Sequence, residues 1–104
     1  MSDIQDQMLK ARRETIRFQL LRCLHISAPE GMNPKGMLPI IAATYKDVTQ
    51  AEIGKHLDYL HQRELVHLSA DPLGNQSAKL ARYGFDVVEY AVDCDAGIAR
   101  PSKA

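Results

Sequence analysis

The side chains able to ligate a soft metal or act as a nucleophile with a base are few: four histidines and two cysteines. His56 and His61 stand five apart, about 140° around a helix, so they cannot share a metal as an i, i+4 pair would. Cys23 and His25 are close in sequence, but no second pair of ligands has zinc-site spacing. The chain carries no glycine-rich phosphate loop, no nucleophile elbow and no recognisable acid–base pair. Neither an enzyme, a metal site nor a cofactor is therefore expected. Tyr83, Phe85 and Tyr90 resemble a stacking platform for single-stranded nucleic acid only superficially. Such a platform needs a basic groove, and their neighbours are Asp86 and Glu89. They are expected to pack the last helix against the first.

Charge gives little direction. The 104 residues include 13 lysines and arginines against 13 acidic residues, which removes the simplest argument for a nucleic-acid partner. The balance hides a gradient. Lys10, Arg12, Arg13, Arg17, Arg22 and Lys35 outweigh the acids of the first third, while Asp86, Glu89, Asp93 and Asp95 outweigh Arg100 and Lys103 at the other end. The two ends are weakly complementary, which suits intramolecular packing or a homodimer made from the N- and C-terminal helices. The length is that of one domain, and 45% hydrophobic residues is ordinary globular composition. With two cysteines outside any CxxC pair, a polar start and no apolar run of membrane-spanning length, a reduced cytoplasmic protein is expected.

The elements that must position any site follow from periodicity. From Gln7 to Ile26 the spacing is helical, with Leu9, Ile16, Leu20, Cys23 and Leu24 on one stripe and Phe18 and Leu21 widening it. Ala28-Pro29-Glu30-Gly31 stops this helix. A shorter helix holds Leu38, Ile40, Ile41, Ala42 and Ala43. It begins either at Pro34 after an Asn33 cap, with Pro39 then inside it, or at Pro39 itself. The third helix has the clearest signature: Thr49 as cap, Glu52 to complete a capping box, and Val48 with Ile53 as a hydrophobic staple. Ile53, Leu57 and Leu60 form its buried stripe.

After Leu65 the period changes to two. Val66 and Leu68, then Ala78 and Leu80, alternate with polar neighbours and predict a hairpin around the turn Asp71-Pro72-Leu73-Gly74-Asn75. Arg82 to Val92 returns to helical spacing through Phe85, Val88 and Val92. Residues 1–6 and 93–104 are expected to be flexible or extended ends of a single domain covering 1–104.

Helix, short helix, turn, capped helix, hairpin, helix is the order of the winged-helix fold. The residues that resemble it most are Val48-Thr49-Gln50-Ala51-Glu52-Ile53, Leu57-Asp58-Tyr59-Leu60, Leu65-Val66 and Leu80-Ala81-Arg82-Tyr83-Gly84-Phe85-Asp86-Val87. In length and element order the chain resembles the small winged-helix proteins of Mu-like phages and prophages. The resemblance implies a mainly α fold with a small β-hairpin: a three-helix core, a wing and a C-terminal helix. Two positions depart from the pattern. Glu64 stands where glycine usually ends the third helix in the left-handed region, at a cost of roughly 1 kcal/mol. Ala81 stands where threonine or serine usually caps the last helix, and a lost cap costs about 1 kcal/mol.

The resemblance also implies that the third helix lies in the major groove of duplex DNA and reads bases with its outward residues. Turning Ile53, Leu57 and Leu60 inward leaves Ala51, Lys55, Asp58, Tyr59 and Gln62 outward, with Glu52 and Arg63 on the flank. Gln50 opens the same helix. Gln62 suits adenine and Lys55 suits guanine or phosphate, while Asp58 offsets the lysine three residues away. The wing adds Gln76, Lys79 and Arg82 as phosphate contacts. Cations and acids are equal in number in this half, so specific binding is expected of a homodimer that doubles the phosphate contacts. The functional expectation is a phage or prophage DNA-binding regulator. The alternative keeps the fold as a protein-interaction module in phage development, favoured by the neutral charge and Asp58.

Overall fold

The chain folds, in a computed structural model that describes residues 3–103, as α1 (Asp3–Ser27), α2 (Pro34–Ala42), α3 (Gln50–Gln62), β1 (Val66–Ala70), β2 (Gln76–Leu80) and α4 (Arg82–Val88). It is mainly helical with one small antiparallel hairpin. Ile16, Leu20 and Leu24 of α1, Met37 and Ile41 of α2 and Ile53 and Leu60 of α3 are fully buried, so the core lies where these three helices meet. Leu65, Val66, Ala78 and Leu80 close it from the hairpin, and Val87 from α4.

Local chemistry sets the boundaries. The Thr49 hydroxyl accepts the Glu52 N–H at 3.1 Å, and Val48 and Ile53 are both buried, a cap and staple that open α3. The Asn33 side chain caps α2 from Gly36 N–H at 2.6 Å. Of the two possible starts for α2 the structure takes the earlier, with Pro34 in the first turn and Pro39 inside the helix. Pro39 is exposed, as is Lys35 one turn before it, so the carbonyl that loses its helical donor lies at the solvent side. Asp71 builds the hairpin turn by accepting the N–H groups of Leu73 and Asn75, both at 2.9 Å. Val66 then pairs with Leu80 and Leu68 with Ala78 on the inward face. Met32 adds a single bridge to Ala78, exchanging hydrogen bonds of 2.9 and 2.8 Å. The neighbouring Gly31, at φ 82°, lets the chain come this close, since a β-carbon there would stand 2.3 Å from the Ala78 carbonyl.

Four expectations need correction. α1 starts at Asp3 and not Gln7, so residues 3–6 are helical and not an extended end; Met1, Ser2 and Ala104 lie outside the described residues. Leu9, expected in the buried stripe, is 48% exposed, because the helix overshoots the core. α4 ends at Val88 and not Val92, and Val92 is 38% exposed. The reason is a left-handed Tyr90 (φ 61°), with Ala91 N–H bonded to Asp86 O and Tyr90 N–H to Val87 O, the pairing of a Schellman motif. Finally, residues 93–103 are without helix or strand but are anchored. Ile98 is buried, Ala99 N–H reaches Glu14 O, and Arg100 donates to the carbonyls of Val87 and Val92. The last helix and the first meet through His25, which contacts Glu89 at 3.0 Å and the Phe85 ring edge-on.

Candidate nucleic-acid interface

On α3 the buried stripe fixes what faces outward. Gln50, Ala51, Lys55, Asp58, His61 and Gln62 are exposed and Gly54 is half-buried, forming one arc along the whole helix. Lys55 and Asp58 share this arc, but no ion pair joins them among the described residues. At its N-terminal end the arc opens on a polar cleft of about 580 Å³, lined by Asn33 and Lys35 at the start of α2, Gln50 of α3, and Asp71, Asn75 and Gln76 of the hairpin, so Lys35 shares the cleft with one carboxylate. Here the amino ends of two helices face the hairpin tip. Such ends carry free N–H groups and partial positive charge, which suits phosphate.

The eight sequence-designated residues therefore fall into separate places. Gln50, Lys55 and Gln62 lie on the arc, and Gln76 faces Gln50 across the cleft. Lys79 pairs with His67 on the outer face of the hairpin, next to Pro29 and Gly31, on the opposite side from the cleft. Arg82 is exposed at the start of α4. Tyr59 is the clear correction. It is half-buried, not outward, and the guanidiniums of Arg17 and Arg63 stack on its ring at 3.6 and 4.3 Å. Its hydroxyl lies so near Gly97 that a β-carbon there would approach to 2.1 Å. Tyr59 thus joins α3 to α1 and the C-terminal segment, and takes Arg63 with it.

Sequence reasoning missed the polar chain beside Tyr59. His56 is 5% exposed, the one buried polar residue of the described chain. Arg17 donates its Nε–H to His56 Nδ1 at 3.3 Å and a second N–H to Gly97 O at 2.9 Å. With Nδ1 accepting, the proton of neutral His56 sits on Nε2 and is donated to Glu52 Oε2 at 3.2 Å. Arg12 closes the chain. It grips both carboxylate oxygens of Glu52, one of them at 3.1 Å, and reaches Asp47 at 3.0 Å. This fork geometry is the strong form of a charged hydrogen bond.

These contacts have titration consequences. Burial pushes the His56 imidazole below its ordinary range, and the nearby Arg17 charge acts the same way against the opposing bond to Glu52. Arg12 holds both Glu52 and Asp47 below the usual carboxylate range. Backbone N–H donors, first that of Asn75, do the same for Asp71. The signals in sequence were the i, i+4 pair Glu52–His56 and the i, i+5 pair Arg12–Arg17, but only the crossing of α1 over α3 brings them together. The chain's effect on the outward arc is electrostatic. Two acids of this half, Asp47 and Glu52, are occupied by a cation from outside it.

Among the described residues no group of three or more His, Cys, Asp or Glu is placed to hold a metal, and no helix is long and apolar enough to cross a membrane. Cys23 and Cys94 are free thiols. No known family, curated protein or solved structure matches the chain.

Proposed function

We propose that this chain is a winged-helix protein of phage or prophage type that binds duplex DNA as a homodimer and acts in transcriptional regulation. One observation carries the reading. The outward arc of α3 is left uncovered by every other element, and it runs into a cleft where Gln76 of the hairpin faces Gln50 and Lys35. A helix reading bases with a hairpin flanking it on the phosphate backbone needs this arrangement. The reading residues are Gln50, Lys55 and Gln62, with Lys35 and Gln76 as backbone contacts. Pairing of Asp47 and Glu52 with Arg12 offsets two of the acids of this half, so the surface is less hostile to phosphate than the residue count implies.

The test is a fluorescence-anisotropy titration of the folded chain against DNA flanking its own gene, at several salt concentrations. Lys55→Ala and Lys35→Ala are expected to weaken binding and each to lower the salt slope by about one. Lys79→Ala, on the opposite face of the hairpin, is expected to change it much less. Absence of binding at low salt by a folded dimer overturns the proposal. That outcome favours the protein-interaction reading, for which the specific observation is exposed Asp58 midway along the arc, in no ion pair among the described residues.

A further inference from the structure

The first nine described residues of α1, 3–11, are all exposed, including Ile4 at 69%, Met8 at 67% and Leu9 at 48%. A helical stretch this short is marginal in water without packing, so two and a half turns standing clear of the core with Ile4, Met8 and Leu9 exposed call for a cover. At the other end of the same helix, Ile26 is 79% exposed beside a groove of about 390 Å³ lined mainly by Phe18, Val88, Tyr90 and Pro101. Both features lie on one face. Ile4, Met8, Ala11, Thr15 and Arg22 return to one side of the helix, with small residues at its centre, and Phe18, 5% exposed, forms the floor of the groove between Thr15 and Arg22.

We infer that this face is self-complementary and that its occupant is a second copy of α1, packed antiparallel about a two-fold axis at Thr15. The inference rests on the homodimer in the proposed function and gives it a surface, a direction and a register. An axis at Thr15 sets Ile4 against the partner's Ile26, Met8 against the partner's Arg22 and Ala11 against the partner's Gln19. The exposed apolar end of each helix then enters the groove of the other. That is the isologous pairing of a two-fold dimer, in which one patch serves both copies. Charge selects the direction. The antiparallel pair brings Asp3 and Asp6 in the first turn of one helix to the end where the partner carries the exposed Arg22. A parallel pair would set Arg22 against its own copy and align the helix dipoles unfavourably.

The experiment combines sedimentation equilibrium with cysteine crosslinking on the full chain. The wild-type chain is expected to be dimeric at tens of micromolar. Met8→Glu, at a position without core contacts, is expected to weaken self-association at least tenfold while leaving the helical circular-dichroism signal of the domain intact. For the direction, Ile4→Cys and Ile26→Cys chains are oxidised separately and mixed. Disulfide-linked dimer from the mixture above the level of either chain alone supports the antiparallel register. Crosslinking of Ile4→Cys with itself shows a parallel pair and overturns it, and so does a wild-type chain that stays monomeric. A monomer that still binds DNA with salt dependence removes this inference and leaves the DNA reading standing. A crosslinked antiparallel dimer that binds no DNA does the reverse.

Discussion

Glu64 holds a left-handed backbone, φ 64°, because the end of α3 demands it. Leu65 N–H bonds to Leu60 O and Glu64 N–H to His61 O, both at 3.0 Å, and Leu60 and Leu65 are fully buried. This is a complete Schellman ending with its hydrophobic contact, built on a residue with a β-carbon. The left-handed region costs such a residue roughly 1–2 kcal/mol. Glycine removes that cost but loses about 0.5–1 kcal/mol more backbone freedom on folding. Glu64 is exposed and forms no ion pair among the described residues, so its side chain gives nothing back. Glu64→Gly is therefore expected to stabilise the chain by about 0.75 kcal/mol, the middle of a difference of ~0–1.5 kcal/mol, or roughly 3–6 °C in Tm for a domain of this size. Thermal unfolding followed by circular dichroism, at one fixed protein concentration, measures it. Glu64→Ala is the reference, because it keeps the β-carbon and should stay within about 0.5 kcal/mol of the parent. A glycine variant no more stable than the alanine variant would refute the reasoning. Tyr90, φ 61°, supplies the contrast. Its hydroxyl donates to Pro101 O at 2.6 Å and Arg100 stacks on its ring, so Tyr90→Gly should lose stability despite the same relief.

Stability should also depend on pH through His56. Its folded pKa lies below the unfolded value near 6.5, so above that value the imidazole is neutral in both states. As the pH falls below it, only the unfolded chain takes up the proton readily, and stability drops toward the folded pKa. Glu52, whose folded pKa is also lowered, adds a second loss at lower pH. Urea midpoints should decline between pH 7.5 and 5.5 in the parent and much less in His56→Gln; equal midpoints in the parent would contradict the assignment. Gly31→Ala should cost about 2–4 kcal/mol, from a left-handed alanine and two strained hydrogen bonds between Met32 and Ala78. Faster amide exchange at Ala78 should accompany it, and unchanged exchange with unchanged stability would show that the bridge does not hold the hairpin.

Short-range chemistry made much of this structure legible. Thr49 with Glu52, Val48 with Ile53, and Asp71 before a proline–glycine turn act within a few residues, so their pattern carries their geometry. The ends of α1 and α4 were not legible in the same way. Leu9 sits on the right stripe, but whether a stripe is buried depends on how far the rest of the core extends. Val92 continues the spacing of α4, yet the chain leaves the helix at Tyr90, whose left-handed turn is compensated by Arg100 and Pro101, ten and eleven residues away. The candidate interface was legible to the same degree. Ile53, Leu57 and Leu60 fixed the arc of α3, while Tyr59 and His56 sit at its edge, where a rotation of a few tens of degrees decides between solvent and α1. Arg12 and Arg17 decide it, from roughly forty positions upstream.

That dependence ties the two proposals together physically. α1 presents one face to solvent through Ile4, Met8 and Ile26, while its Arg12 and Arg17 hold Glu52, His56 and Tyr59 of α3. Guanidinium forks and ring stacking fix orientation as well as distance. A second copy seated on α1 would therefore fix the angle and spacing of the two α3 arcs through rigid contacts, with no loop in between. The side chains that hold Tyr59 away from the candidate reading surface also give α3 its orientation. The surface that remains is smaller than the sequence suggested. It is also less acidic, and it is held by the helix on which the partner would pack.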